Sequence, residues 1–209
     1  MLNSVLHERY TQSYGRPIKC QRHCFCKSRN LLSADVCSVA DCSSVLIQQN
    51  LDGSKFFNRS WAEFKVGFGV SSGNYWLGNE RLSQLTATGR YKLRFELQSR
   101  SNGNWYHAEY STFRVLTEAD NYTLQVAGYS GNAGDVFGHN GKMFSTYDRD
   151  NDRRSTENCA AATGGGFWHC SRADVNSVAD NRPAWHAFGW DDLPGGRALQ
   201  SSRMWLQCK

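Results

Sequence analysis

Apolar and polar residues alternate without a break along Tyr91-Lys-Leu-Arg-Phe-Glu-Leu-Gln98. A period of two puts Leu93, Phe95 and Leu97 on one side and Lys92, Arg94 and Glu96 on the other, the mark of a half-buried strand. Ser101-Asn-Gly-Asn104 follows, and its Asn-Gly pair suits a tight hairpin turn. The return strand is expected over residues 105–115 and a further strand over 122–127. Earlier in the chain, Ser60-Trp-Ala-Glu63 has the spacing of a capping box that opens a short helix, which Gly67 ends. Asn79-Glu-Arg-Leu-Ser-Gln-Leu85 predicts a second short helix, capped by Asn79, with Leu82 and Leu85 turned inward. Short helices beside an antiparallel meander predict an α+β domain. Past Asp135 the periodicity dissolves into glycine, asparagine and aspartate, and the chemistry passes to irregular loops.

The 209 residues are enough for one domain with a real core, and 40% hydrophobic with 13% aromatic residues describes a globular chain. A net charge of +5 without a dense lysine or arginine run gives no nucleic-acid signature, and no zinc-finger, RNP or basic-helix pattern is present. No apolar run has the length of a membrane span. Eight cysteines and two Asn-x-Ser/Thr sites, at Asn58 and Asn121, point to a secreted, disulfide-bonded glycoprotein. The first ten residues lack the apolar core of a signal peptide. The expectation is therefore that the true start lies outside this sequence or that the first segment is foreign to the domain.

Residues 1–44 read as an atypical cysteine-rich segment with Cys20, Cys24, Cys26, Cys37 and Cys42, and residues 45–209 as the domain. The C-x3-C-x-C spacing is not that of a zinc ribbon, which favours disulfides over zinc. Five is an odd number, so Cys208 or another chain takes one partner.

The chemistry gathers in Phe144-Ser-Thr-Tyr-Asp-Arg-Asp-Asn-Asp-Arg-Arg-Ser-Thr-Glu-Asn-Cys159. Asp148, Asp150 and Asp152 stand at alternate positions, and acids this close repel unless a cation or full solvation compensates them. Hard oxygen ligands on a short loop suit Ca²⁺. An EF-hand would need glycine at the sixth position and glutamate at the twelfth, where Arg153 and Cys159 stand. Arg149, Arg153 and Arg154 could balance the three acids without any metal, so spacing leaves both readings open.

Several ordered segments resemble the fibrinogen C-terminal domain shared by ficolins, tachylectins, tenascins and angiopoietins. They include Leu51-Asp-Gly-Ser54, Gly67-Phe-Gly69, Tyr75-Trp-Leu-Gly-Asn79, Gly128-Tyr-Ser-Gly-Asn-Ala-Gly-Asp135, Gly138-His-Asn-Gly-Lys-Met-Phe-Ser-Thr146 and Asn158-Cys-Ala160. The likeness runs from about Val45 to about Gln207. It implies a twisted antiparallel sheet with short helices and a long irregular loop region that binds calcium and ligand. It implies Ca²⁺ held by the side chains of Asp150 and Asp152 and by backbone carbonyls near Arg154 and Thr156. It also implies a Cys159–Cys170 disulfide closing the loop behind that site, against the alternative of two free thiols. Closing so short a loop contributes on the order of 2–3 kcal/mol.

The family's ligand pocket lies beside this disulfide and, in ficolins and tachylectins, receives acetyl groups. The resemblance therefore assigns ligand binding to Phe167, Trp168, His169, Cys170, Ser171 and Trp190, with Trp185 as a further wall. The usual constellation is incomplete: Ser171 stands where the family has a histidine, and Ala179 where it has a tyrosine. The competing reading makes these aromatics core. In fibrinogen, acidic and amide side chains after the first cysteine receive a basic peptide end. Here Ala161-Ala-Thr163 offers no carboxylate, so fibrin-type polymerisation is not expected.

Gly69-Val-Ser-Ser-Gly73 matches the G-x-S-x-G of serine hydrolases, but that motif needs a strand before it and a helix after it. No catalytic residue is assigned. The chain is expected to be a secreted calcium-dependent recognition protein for acetylated glycans on cell or pathogen surfaces, a lectin of innate immunity. The alternative is a matrix or receptor-binding module of the tenascin or angiopoietin type that recognises protein partners or cell-surface glycoproteins. A homo-oligomer fits either.

Overall fold

The computed structural model describes residues 44–169, 172–179 and 187–209. Its centre is an antiparallel sheet in which the last strand of the chain sits in the middle. The strands are β1 (Val45–Asn50), β2 (Phe68–Gly69), β3 (Tyr75–Trp76), β4 (Tyr91–Ser99), β5 (Trp105–Val115), β6 (Leu124–Gly131) and β9 (Leu199–Cys208), in the order β2-β3-β1-β9-β4-β5-β6. A separate two-stranded sheet pairs β7 (Ala173–Asp174) with β8 (Gly189–Trp190). The helices are α1 (Trp61–Val66), α2 (Asn79–Thr86) and α3 (Cys159–Thr163). This is the α+β architecture read from the sequence.

Strand β4 keeps the predicted alternation: Leu93, Phe95 and Leu97 are fully buried, while Lys92, Arg94, Glu96 and Gln98 are half-buried on the other face. There Arg94 and Lys92 both pair with Glu109 across the β4–β5 ladder. The β4–β5 connection is a loop over 100–104 rather than the tight turn expected, with Gly103 at φ +71° and its N–H donating to the Ser99 carbonyl. Strand β5 spans the predicted residues. Strand β6 starts two positions late because Asn121 and Tyr122 adopt left-handed φ values of 51° and 49°, which no strand accepts.

Helix α1 opens with the predicted capping box. The Ser60 hydroxyl accepts from the Glu63 N–H, and the Glu63 carboxylate accepts from the Ser60 N–H. Helix α2 begins differently from the expectation. Gly78, at φ 108°, is its cap, and Asn79 is buried as the first helical residue, where its Oδ1 accepts from Trp76 Nε1 at 3.1 Å. An indole N–H inside the core needs such an acceptor.

The core is built largely of aromatic rings. Phe144 packs on Phe64, Trp76 and Trp168 with centroids 5.1, 5.8 and 5.1 Å away. Offset and edge-on contacts of this kind add to the burial of large apolar area. Gln48 forms the polar counterpart: its Nε2 reaches the Val175 carbonyl, Asn176 Oδ1 and Ser202 Oγ, tying β1 and β9 to the segment after β7.

Candidate functional site

The acid loop hangs from the core by hydrogen bonds that precede the acids. Thr146 and Arg149 exchange backbone hydrogen bonds at 2.9 and 3.1 Å, which closes a tight turn. The Asn151 N–H donates to Ser145 Oγ at 3.0 Å, and its Nδ2 to the Phe144 carbonyl at 2.8 Å. Asn158 caps α3 by accepting from the Ala161 N–H, and its Nδ2 donates back to the Thr146 carbonyl at 3.0 Å. Both ends of the loop are thereby fixed to one turn.

The three aspartates have different tasks. Asp148 Oδ1 accepts from the Trp61 N–H at 2.9 Å and from Thr146 Oγ1 at 2.7 Å, so the first acid anchors the start of α1. Asp150 Oδ1 accepts from the Asp152 N–H at 3.1 Å. Asp152 Oδ1 accepts from the Arg154 N–H at 2.7 Å and Oδ2 from the Cys159 N–H at 2.8 Å. Partial burial and the charge of Asp152 hold the Asp150 carboxyl above the usual carboxylate range, against the Asp152 N–H, which favours its charged form.

Asp150 and Asp152 border an open cavity of about 500 Å³, whose rim continues through Arg154, Thr156, Glu157 and Asn158. Arg154 is turned to Glu157, with Nη1 2.6 Å from Oε1. The donor set fits a hard cation. The Asp150 and Asp152 carboxylates border one space, and the oxygens that accept hydrogen bonds each keep a further lone pair. Among the described residues no three acidic, histidine or cysteine side chains converge as a metal cluster, so a cation bound at this rim would need further oxygen ligands.

Behind the loop, Cys159 is buried and disulfide-bonded; Cys208, half-buried at the end of β9, is disulfide-bonded as well. Cys170 and Ser171 lie outside the described residues, as do Trp185, the N-terminal cysteines and residues 1–43. After α3 the chain runs through Gly164-Gly-Gly166, where a Cβ on Gly165 would stand 2.1 Å from the Asn176 carbonyl oxygen and one on Gly166 2.5 Å from the Phe64 ring. The segment therefore lies flat on the core.

That close approach decides where the aromatic residues go. Phe167, Trp168 and Trp190 are fully buried. Trp168 Nε1 donates to the Tyr122 carbonyl at 2.8 Å and Trp190 Nε1 to the Gly134 carbonyl at 3.1 Å. These rings form core, and the pocket walls drawn from them in the sequence face inward. His169 is buried too, with Nε2 2.6 Å from the Gly165 carbonyl oxygen and Nδ1 3.1 Å from Asp174 Oδ2. Burial alone would raise the Asp174 carboxyl, but the neighbouring His169 and Ser177 and the hydrogen bond from the Asn176 N–H bring it below its ordinary range. Sequence spacing gave no sign of this pair. Asn176 holds the glycine run from the other side: its Nδ2 donates to the Gly166 carbonyl at 2.8 Å.

Asn58 is exposed beyond the short 3₁₀ turn Lys55–Phe57. Asn121 is engaged: its Oδ1 accepts from Arg149 at 2.8 Å, and its Nδ2 faces Met143 Sδ at 3.4 Å. The Gly69–Gly73 stretch is a turn between the two-residue strands β2 and β3, with Gly73 N–H donating to the Val70 carbonyl. A strand follows it, not a helix, so no nucleophile elbow forms.

Residues 34–204 match the family described as fibrinogen beta and gamma chains, C-terminal globular domain. The chain belongs to that family. It is 41% identical to human ficolin-3 over 171 residues, covering 78% of this chain and 56% of ficolin-3. It is 46% identical to mouse angiopoietin-related protein 1 over 125 residues, covering 59% of this chain and 25% of that protein. The chain thus spans about half or less of the length of these relatives. Among solved structures it is similar to the fibrinogen-like globe domain of human ANGPTL2, with a TM-score of 0.72, 38% identity and coverage of 79% of this chain and 80% of that one. It is also similar to a lamprey fibrin D-dimer complexed with the peptide Gly-His-Arg-Pro-amide, with a TM-score of 0.71, 27% identity and coverage of 80% and 62%. No helix among the described residues is long and apolar enough to cross a membrane.

Proposed function

We propose that this fibrinogen-related domain is a secreted recognition module that binds rather than catalyses, and that Ca²⁺ at Asp150 and Asp152 orders its loop region. The observation that carries the reading is the placement of the aspartates: Asp148 is turned to Trp61 and Thr146, while Asp150 and Asp152 border one open rim. Backbone carbonyls of Arg154 and Thr156 would complete the protein's share of the shell. Bound there, calcium supplies positive charge that neutralises two repelling acids. Among the described residues, disulfide-bonded Cys159 and Cys208 suit an oxidising extracellular setting, with residues 1–44 preceding the domain and N-glycans at Asn58 and Asn121.

The first ligand class is acetylated glycans, supported by the similarity to ficolin-3, with a role in innate defence. The residues that would line such a site beyond the buried aromatics are Cys170 and Ser171. A glycan array probed in Ca²⁺ and again in EDTA tests this. Calcium-dependent retention of N-acetylated sugars supports it, and no retention in either condition removes it.

A second reading, recognition of a protein surface, is favoured by one observation: Phe167, Trp168 and Trp190 all face the core, which leaves fewer apolar walls for a sugar's acetyl group. The similarity to angiopoietin-related proteins agrees with it. Calcium-dependent capture of extracellular protein, alongside a blank glycan array, would establish this alternative.

A further inference from the structure

Trp61 joins the acid loop to helix α1 through every part of its residue. Its backbone N–H donates to Asp148 Oδ1 at 2.9 Å. The Arg149 guanidinium lies over its ring, 4.0 Å from the centroid. Its Nε1 donates to Glu118 Oε1 at 2.9 Å, and Glu118 is in turn paired with Lys65. The ring system also stacks on Tyr122, with centroids 5.4 Å apart and planes 29° apart. Arg149 is held a second time, because its Nη2 donates to Asn121 Oδ1 at 2.8 Å. Asn121 keeps that position through its left-handed backbone, and the Phe144 N–H donates to its carbonyl.

The sequence places this clamp directly before the acids: Arg149 is bonded to Asp150. Two carboxylates that repel will separate in a loose loop and must be brought back each time a cation binds. A loop already held does not incur that ordering cost at binding, so its affinity is higher. We infer that Trp61 and Arg149, with Asn121 as the anchor of Arg149, are positioning residues that set cation affinity at Asp150 and Asp152. The inference rests on the calcium reading of those two acids.

A rival effect has the opposite sign. Arg149 is a cation near a cation site, so its charge alone opposes calcium, and deleting it would tighten binding. Arg149→Ala and Arg149→Lys separate the two. Lysine keeps the charge but lacks the planar fork that both stacks on an indole and reaches an amide oxygen.

The experiment measures terbium and calcium affinity by calorimetry, and terbium luminescence excited through tryptophan. It compares the wild type with Arg149→Ala, Arg149→Lys, Asn121→Gly and Trp61→Phe, each first checked for folding in EDTA. Glycine at position 121 accepts the left-handed φ, so that variant removes the anchor without backbone strain. Positioning predicts affinity weakened on the order of tenfold in Arg149→Ala and Asn121→Gly, and weakened also in Arg149→Lys. Trp61→Phe, which keeps a ring beneath Arg149 but loses the bond to Glu118, should also weaken calcium affinity in calorimetry, and an unchanged affinity would remove Trp61 from the inference. Arg149→Ala binding as tightly as the wild type or more tightly, with Asn121→Gly unchanged, overturns the inference. If Arg149→Ala does not fold, Arg149→Lys and Asn121→Gly decide it. A wild type that takes up neither ion removes the calcium reading itself, which is a different failure.

Discussion

His169 Nδ1 stands 3.1 Å from Asp174 Oδ2 inside the protein, with the imidazole side chain fully buried. On its other side, Nε2 lies 2.6 Å from the Gly165 carbonyl oxygen. The ring is thus set between a carboxylate and a carbonyl, two groups that favour a donor beside them. The two side chains lie together in the interior beneath the segment that follows the glycine run.

Removing one partner leaves the other uncompensated. Asp174→Asn takes the carboxylate from the buried His169 and is expected to destabilise the domain by about 1–3 kcal/mol in urea denaturation. The folded Asp174 carboxyl lies below its ordinary range, so its contribution is present above the ordinary carboxylate pKa, near 4. That contribution fades as pH falls through the folded value. The variant should therefore show less stability loss than the wild type in that acid window, and an equal loss would count against the pair.

His139 gives a second pH dependence at milder acidity. Burial, helped by the charge of Lys142, lowers its pKa from 6.5 to about 3. The unfolded chain takes up a proton below about pH 6.5 and the folded chain does not, so stability falls as pH falls through that window. Between pH 7 and 5 the cost is about 2 kcal/mol by linkage. His139→Gln keeps a donor for the Ala173 carbonyl, which His139 Nε2 meets at 3.1 Å, and should flatten this part of the profile. Chemical denaturation at several pH values measures it.

Neutralising Asp150 should have opposite effects with and without calcium. In EDTA, Asp150→Asn removes repulsion from Asp152 and leaves Tm unchanged or slightly raised. In calcium at a hundred times its Kd, the wild type gains about 2.7 kcal/mol that the variant largely lacks. Thermal melts in the two conditions check both signs.

The glycine run is a packing requirement. Gly165→Ala drives a Cβ to 2.1 Å from the Asn176 carbonyl oxygen, backbone that cannot swing aside. A loss of about 1–3 kcal/mol is expected from overpacking, read by urea denaturation. Gly196→Ala meets no neighbouring atom within 4 Å, and its cost should come from its φ of +105° alone.

The removal of the disulfide at Cys159 is the largest covalent change. Cys159→Ser should cost about 2–5 kcal/mol and is read by the same denaturation under non-reducing conditions.

The alternation in β4, the span of β5 and the capping box of α1 were legible in the sequence because each rests on interactions a few residues long. The acid pair was legible for a similar reason: charges two positions apart announce their repulsion wherever the chain folds. What the sequence could not supply was direction. Asp148 matches its two neighbours in type, yet its partner is the backbone N–H of Trp61, 87 residues away, and only the packed molecule brings them together. Asn79 has a good capping side chain, but the Trp76 indole draws it into the core. Phe167, Trp168 and Trp190 are equally suited to line a cleft or fill an interior, because the hydrophobic effect does not distinguish the two. Tertiary contact made that choice, through glycines at 165 and 166 thin enough to lie against Asn176 and Phe64. Local chemistry thus fixed which residues could act, and long-range packing decided which of them face solvent.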